Sequence, residues 1–268
     1  MENNEIIILG TGNAMVTKCY NTCFIVKSQS GHMMLVDAGG GNGILNQLQK
    51  AEVGCEQISD LFVTHTHTDH ILGVIWIMRM ALQYQKPEVL HIHSHRKVLD
   101  LLDHMCRQML PKKLVDRIGV NVVYHEHHDG DSYEVGDMHL QCFDIRSTKE
   151  QQFGFTITFA NGTRLACLGD EPYCEANEAY IKGADWMMSE AFCLYEDRER
   201  FQPYKKHHST ALDAARLANN LGVKNLILYH TEDKTLETRK ERYTEEAKAE
   251  FSGPVFVPYD LERITLDK

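Results

Sequence analysis

Three histidines and an aspartate fall within the short run Thr64-His65-Thr66-His67-Thr68-Asp69-His70. Imidazole nitrogen and carboxylate oxygen are donors that suit Zn²⁺ and also accept Mn²⁺ or Fe²⁺. Alternate residues of an extended segment point the same way, so His65 and His67 can face one ion. Asp69 and His70, at the turn into whatever follows, can face a second ion beside it. Four polar residues capping a turn would be the plainer explanation, but three imidazoles and a carboxylate packed this closely at a strand end outweigh it. A binuclear centre also needs a bridging carboxylate and ligands from elsewhere. Asp170 closes the apolar run Leu165-Ala166-Cys167-Leu168-Gly169, and His230 closes Leu226-Ile227-Leu228-Tyr229. Either alone reads as an ordinary strand-terminal turn residue; their order after the first motif recommends them as ligands.

Positioning such a cluster requires a strand before it and a helix after it. Asp60 to Thr64 reads as a buried strand, and Gly73 to Gln85 as an apolar helix. Upstream, Glu5 to Leu9, Thr22 to Val26 and Met33 to Val36 read as strands, separated by the glycine-rich turns Gly10 to Asn13 and Gly39 to Gly43. Ile44 to Ala51 looks helical. Val89 to His93 reads as a strand, and Lys97 to Met109 as an amphipathic helix with Leu99, Leu102, Met105 and Cys106 on one face. Strand signals dominate from Val120 to Phe159, and Asn161-Gly162 is a hairpin turn. Ala211 to Leu221 is a helix opened by Ser209-Thr210. Leu226 to Tyr229 is the last buried strand, and Arg239 to Glu250 a charged, solvated helix. Short strands and helices in two successive blocks predict an α/β sandwich with helices outside. No linker or repeat divides the chain, so 1–268 is read as one domain.

With 43% hydrophobic and 25% charged residues among 268, the chain can bury an ordinary globular core. No uncharged apolar run approaches the roughly 18 residues needed to cross a bilayer, so no membrane partner is expected. The opening Met1-Glu2-Asn3-Asn4-Glu5 is acidic and lacks a basic or apolar leader. Eight cysteines, none in a Cys-x-x-Cys pair, read as reduced thiols of a cytoplasmic protein. A formal net charge of −10 opposes a broad nucleic-acid-binding surface. Among the other histidines, His91, His93 and His95 are placed at the polar end of a strand. His125, His127 and His128 are placed in an exposed turn, and His104 on an amphipathic helix.

The motifs together resemble the metallo-β-lactamase superfamily, and within it the ribonuclease Z-like phosphodiesterase branch. The resemblance is carried by Leu9-Gly10-Thr11-Gly12-Asn13-Ala14, Asn21-Thr22-Cys23-Phe24, Leu35-Val36-Asp37-Ala38-Gly39 and His65-Thr66-His67-Thr68-Asp69-His70. It continues in Gly169-Asp170, Ser189-Glu190-Ala191, His208-Ser209-Thr210-Ala211 and His230. It implies a four-layer αβ/βα sandwich with the metal cleft at one edge. It implies two ions, Zn²⁺ foremost, one held by His65 and His67 and the other by Asp69, His70 and His230, with Asp170 between them. It also implies that Glu190 orients His208 to protonate a leaving group, His207 lying out of register, and suggests a homodimer. Asp69 would orient or deprotonate the attacking water, which the cations ionise at neutral pH.

Two departures from the family pattern stand out. The stretch Ile145 to Phe155 lacks the family's further histidine ligand before its Gly-aromatic step. Thr148 falls nearest the expected place, and His139, in a strand, does not reach. The ion of His65 and His67 is therefore expected to be the weaker, or to take a water or another side chain. The stretch from Thr148 to Asp170 is also too short for the protruding arm with which tRNA-processing members grip tRNA. The expected activity is phosphodiester hydrolysis, on RNA or a small diester. Hydrolysis of a carboxylic ester, lactone or lactam is the alternative, and a non-catalytic metal-binding sensor a further one.

Overall fold

The computed structural model describes residues 3–84 and 89–266. Met1-Glu2 and the last residue of the expected helix, Gln85, lie outside the described residues. In chain order the strands are β1 (Glu5–Gly10), β2 (Cys23–Lys27), β3 (Met33–Val36), β4 (Asp60–Phe62), β5 (Leu90–Ser94), β6 (Val122–Glu126) and β7 (Ser132–Val135). They continue with β8 (Met138–Asp144), β9 (Phe153–Thr158), β10 (Arg164–Cys167), β11 (Trp186–Glu190), β12 (Asn225–Tyr229), β13 (Val255–Phe256) and β14 (Arg263–Thr265). They form two seven-stranded sheets, ordered β14-β1-β2-β3-β4-β5-β6 and β13-β12-β11-β10-β9-β8-β7.

Each sheet is antiparallel on one side and parallel on the other. In the first, β3 to β6 run parallel; in the second, β10 to β13 do. The side-chain period of two sorts each strand between two cores. Ile6 and Ile8 of β1 join Phe24, Val36, Phe155 and Met188 between the sheets, while Ile7 and Leu9 face the helices outside the first sheet. A third cluster, including Ala214, Ala218, Leu226 and Tyr243, seals the helices of the second half onto its sheet. The result is the expected four-layer αβ/βα sandwich.

Several local expectations hold. Asn161-Gly162 turns the β9–β10 hairpin, with Gly162 at φ 80°, so no long arm interrupts this part of the chain. Thr210 caps the helix Ala211–Asn220 by accepting from the Asp213 N–H. All eight cysteines are free.

Others are corrected. Leu226–Tyr229 is the last buried strand, but two partly exposed strands follow it unforeseen: β13 and β14 add one edge to each sheet, and at two and three residues they are too short to carry a period. The helix Leu236–Lys248 is not solvated all round. Arg239 is completely buried, donating to Thr231 Oγ1 at 2.6 Å, Thr11 Oγ1 at 3.2 Å and the Pro258 carbonyl at 2.8 Å. His91 and His93 sit in the body of β5, not at its polar end. His125 lies in β6 and His127 just after it, both only partly exposed, and of that group His128 alone is exposed. His104 and His139 are exposed.

Candidate metal centre

The parallel strands of both halves deliver their carboxyl ends to the same edge of the sandwich, where open α/β sheets place ligands. β3 leads to Asp37, β4 to His65, β10 to Gly169-Asp170, β11 ends at Glu190 and β12 leads to His230. The turn Asp69-His70 is fixed by a close backbone approach. The Gly73 N–H donates to the Gly39 carbonyl at 2.8 Å, and a Cβ on Gly73 would meet the Ala38 carbonyl oxygen at 1.8 Å. Only glycine fits there.

Three imidazoles surround one carboxylate oxygen. Asp170 Oδ2 lies 3.6 Å from His65 Nε2, 3.4 Å from His70 Nε2 and 3.5 Å from His230 Nε2. Asp69 Oδ2 lies 3.4 Å from His70 Nε2 and 3.7 Å from His230 Nε2. These separations are long for hydrogen bonds. They match the roughly 3.3 Å between donors that share a tetrahedral ion at bond lengths of about 2.0–2.1 Å. His70 Nε2 and both ring nitrogens of His230 are buried without a hydrogen-bond partner, which is costly unless something else engages them. The donor set therefore fits divalent cations. His67 is more exposed, with its Nδ1 2.8 Å from His65 Nε2. Burial opposes charge on Asp170, yet the imidazoles of His65, His70 and His230 hold its carboxyl well below the usual range. Burial pushes His65 well down, leaving the neutral, ligating form.

Two positions that residue types alone did not single out complete this set. Asp37, at φ 54°, accepts from the Thr64 N–H and hydroxyl at 2.8 Å each, and from His70 Nδ1 at 2.7 Å. That bond fixes the His70 tautomer and turns Nε2 toward Asp69 and Asp170. Its signal in the sequence was an aspartate closing a strand before a glycine turn. Gln152 is buried, with its amide nitrogen 2.7 Å from His65 Nδ1, 3.3 Å from His65 Nε2 and hydrogen-bonded to Asp170. It stands beside the ligand pair left short by the missing histidine. Thr148 is instead exposed, 3.5 Å from His207 Nδ1.

His208 is buried and places Nδ1 2.9 Å from Glu190 Oε2; His207 is exposed. Glu190 is itself held by the Ser209 hydroxyl at 3.0 Å. Burial pushes the Glu190 carboxyl well up; burial, then Lys149, lowers the His208 imidazole to about 4. The Phe192 ring stacks on His208 at 4.6 Å. A cleft of about 530 Å³ opens over Asp69, Asp170, His208 and His230, bordered by Met15, Lys149 and Lys206.

This fold and site define a metal-dependent hydrolase of the metallo-β-lactamase superfamily, in its ribonuclease Z-like branch. The chain belongs to the family described as anti-Pycsar protein Apyc1, whose model matches residues 4–251. It is 24% identical over 307 residues to a ribonuclease Z of Bradyrhizobium sp. (strain ORS 278), covering 98% of this chain and 99% of that protein. It is 25% identical over 308 residues to a ribonuclease Z of Myxococcus xanthus (strain DK1622), covering 96% and 95%. Its fold is similar to that of the metallo-beta-lactamase fold protein YhfI from Bacillus subtilis, with TM-score 0.78, 18% identity and coverage of 98% and 99%. It is also similar to human tRNase Z, short form, with TM-score 0.76, 19% identity and coverage of 98% and 100%.

Proposed function

We propose that the chain hydrolyses a small phosphodiester. The single observation carrying this is the Glu190–His208 couple beside the Asp170-centred cluster, in a cleft that also carries two lysines. His65, His67 and Asp170, with the Gln152 amide beside them, would hold one ion; Asp69, His70, His230 and Asp170 would hold the other. Zn²⁺ suits this donor set best, with Mn²⁺ or Fe²⁺ acceptable. Bound there, such cations lower the pKa of water and neutralise charge on phosphoryl oxygens.

The protein's own groups do the rest. Asp69, at the turn, orients the attacking water. Lys149 and Lys206 draw an anion into the cleft of an otherwise acidic protein. Burial and Lys149 oppose charge on His208, so it takes up its proton with the anionic diester beside it and, held through Nδ1 by Glu190, passes that proton to the departing oxygen. A proton donor matters most for a poor alkoxide leaving group, so this couple favours a phosphodiester over an activated carboxylic ester. The ester, lactone and lactam alternative and the non-catalytic sensor are not favoured.

The relatives named ribonuclease Z support RNA or a small diester as the substrate class. The cleft volume is in the range of small-molecule sites, and the net charge of −10 argues against gripping long nucleic acid. Among the described residues no helix is long and apolar enough to cross a membrane. The eight free cysteines support a reducing compartment such as the cytoplasm.

Metal-loaded protein should be assayed on bis(p-nitrophenyl) phosphate, a short RNA, a cyclic mononucleotide and a nitrophenyl carboxylate. Turnover of at least one phosphodiester, abolished by a chelator and restored by Zn²⁺ or Mn²⁺, is expected. Turnover of the carboxylate alone, or of nothing, overturns the reading.

A further inference from the structure

The loop between β8 and β9 brings a fixed positive charge to the edge of the cleft. It is the loop that lacks the family's further histidine, and Lys149 follows Thr148, the residue nearest that place. The Ile145 N–H donates to the Gln152 carbonyl at 3.0 Å and closes the loop at its base. Within it the Ser147 hydroxyl accepts from the Lys149 and Glu150 N–H groups at 3.2 Å each. Lys97, on the helix Arg96–Met109, holds Glu150 at 2.7 Å. The backbone is braced on both sides of Lys149, whose side chain borders the cleft with Asp69, Asp170 and His208.

The two cleft lysines are held differently. Lys149 Nζ lies 3.3 Å from Oε1 of Glu171, a carboxylate only 7% exposed. A buried carboxylate parted from its cation is costly, which keeps the two together. Glu171 directly follows Asp170, so the pair ties the ammonium to the chain that carries the central carboxylate. Lys206 is exposed, and its Nζ lies 5.0 Å from the centre of the Phe192 ring. That contact fixes a long side chain less firmly than an ion pair with a buried carboxylate. After burial, the Lys149 charge is the largest influence on His208 and opposes a proton there. The ammonium therefore stands near that imidazole, and an anion lodged between them relieves the opposition. An ammonium, with three donors, is an established kind of partner for phosphoryl oxygen.

We infer that Lys149, held in place by Glu171, grips a non-bridging oxygen of the scissile phosphoryl group and neutralises its charge. The loop from which the family supplies a further imidazole supplies a fixed cation here. Lys206 attracts the anion from the rim without orienting it. Glu171 does not line the cleft and acts through Lys149 as a positioning residue. The inference rests on the phosphodiesterase reading and names the residues that orient its substrate.

Binding of inorganic phosphate to the Zn²⁺-loaded full chain is followed by calorimetry, beside kcat and KM on bis(p-nitrophenyl) phosphate. Lys149→Ala is expected to weaken phosphate about 10-fold or more and to lower kcat about 10²-fold. Glu171→Gln is expected to move both the same way by less. The Lys149→Ala/Glu171→Gln double variant is expected to match Lys149→Ala alone, because the carboxylate acts through the lysine. Lys206→Ala is expected to raise KM more than it lowers kcat, with an effect that shrinks as salt rises. Phosphate affinity unchanged by Lys149→Ala overturns the inference. So do additive losses in the double variant, which would give Glu171 a role of its own. Should the wild-type chain hydrolyse no diester, the phosphodiesterase reading falls, and phosphate affinity alone still decides the role of Lys149.

Discussion

His208 and Asp37 work through single hydrogen bonds, and each can be tested alone. Glu190 holds His208 through Nδ1, and the imidazole, which also meets the Asp170 backbone, borders the cleft. His208→Ala is expected to slow hydrolysis of an alkyl phosphodiester by about 10²–10⁴-fold, the usual worth of a positioned acid. Turnover of an activated nitrophenyl diester, whose leaving group needs no proton, should fall far less. Paired kcat measurements on the two substrates check this; equal losses would remove His208 from the role of acid. Asp37 does not line the cleft and acts by fixing the His70 ring. Asp37→Ala is expected to weaken metal binding by about 10–100-fold, read by competition with a chromophoric chelator, with kcat at saturating metal much less affected.

At the level of elements, the centre depends on how closely the turn after β3 meets the helix Val74–Tyr84. Gly73 allows backbone-to-backbone contact with Ala38 and Gly39, and that contact locates Asp69 and His70 four and three residues earlier. Gly73→Ala must push the helix away. Loss of about 2 kcal/mol or more of stability is expected from overpacking at a site with no room to relax, read as a lower urea midpoint together with loss of one metal equivalent. Unchanged metal content would show that the turn holds Asp69 and His70 without this contact. The elements also explain what periodicity could not reveal. β11 is buried on both faces and shows no alternation, and β13 and β14 are too short for any. Arg239 looks like one more charge on a polar helix until the Thr11, Thr231 and Pro258 oxygens are brought around it.

Over the whole molecule, one exposed face is apolar on an acidic protein. Trp76 and Met109 are 38% and 61% exposed, and with Leu72, Ile75, Met105 and Leu110 they border a groove of about 390 Å³. We propose this patch, with Trp76 and Met109 exposed at its surface, as the seat of the homodimer that the family resemblance suggests. Sedimentation equilibrium should give a dimer for the wild-type chain and a monomer for Trp76→Glu. A monomeric wild-type chain would refute the dimer, and a Trp76→Glu variant that stays dimeric would place the interface elsewhere.

What the sequence determined by itself is local. Residues from His65 to His70 are close in the chain, so the strand end and the turn after it bring them into one small region before any distant contact aims them. The hairpin at Asn161-Gly162 and the Thr210 cap are likewise settled by neighbouring residues. The tertiary structure alone decided which distant side chains join them. Asp170, Glu190 and His230 follow or end parallel strands of the second sheet, His208 comes from the loop before the helix Ala211–Asn220, and packing of the two sheets brings them to the edge where His65 to His70 lie. The same packing buries Gln152 rather than Thr148 beside His65, and draws His93 and His127 from an expected strand end and turn into a facing pair. Such choices depend on inter-strand register and on burial, which no short stretch of chain encodes.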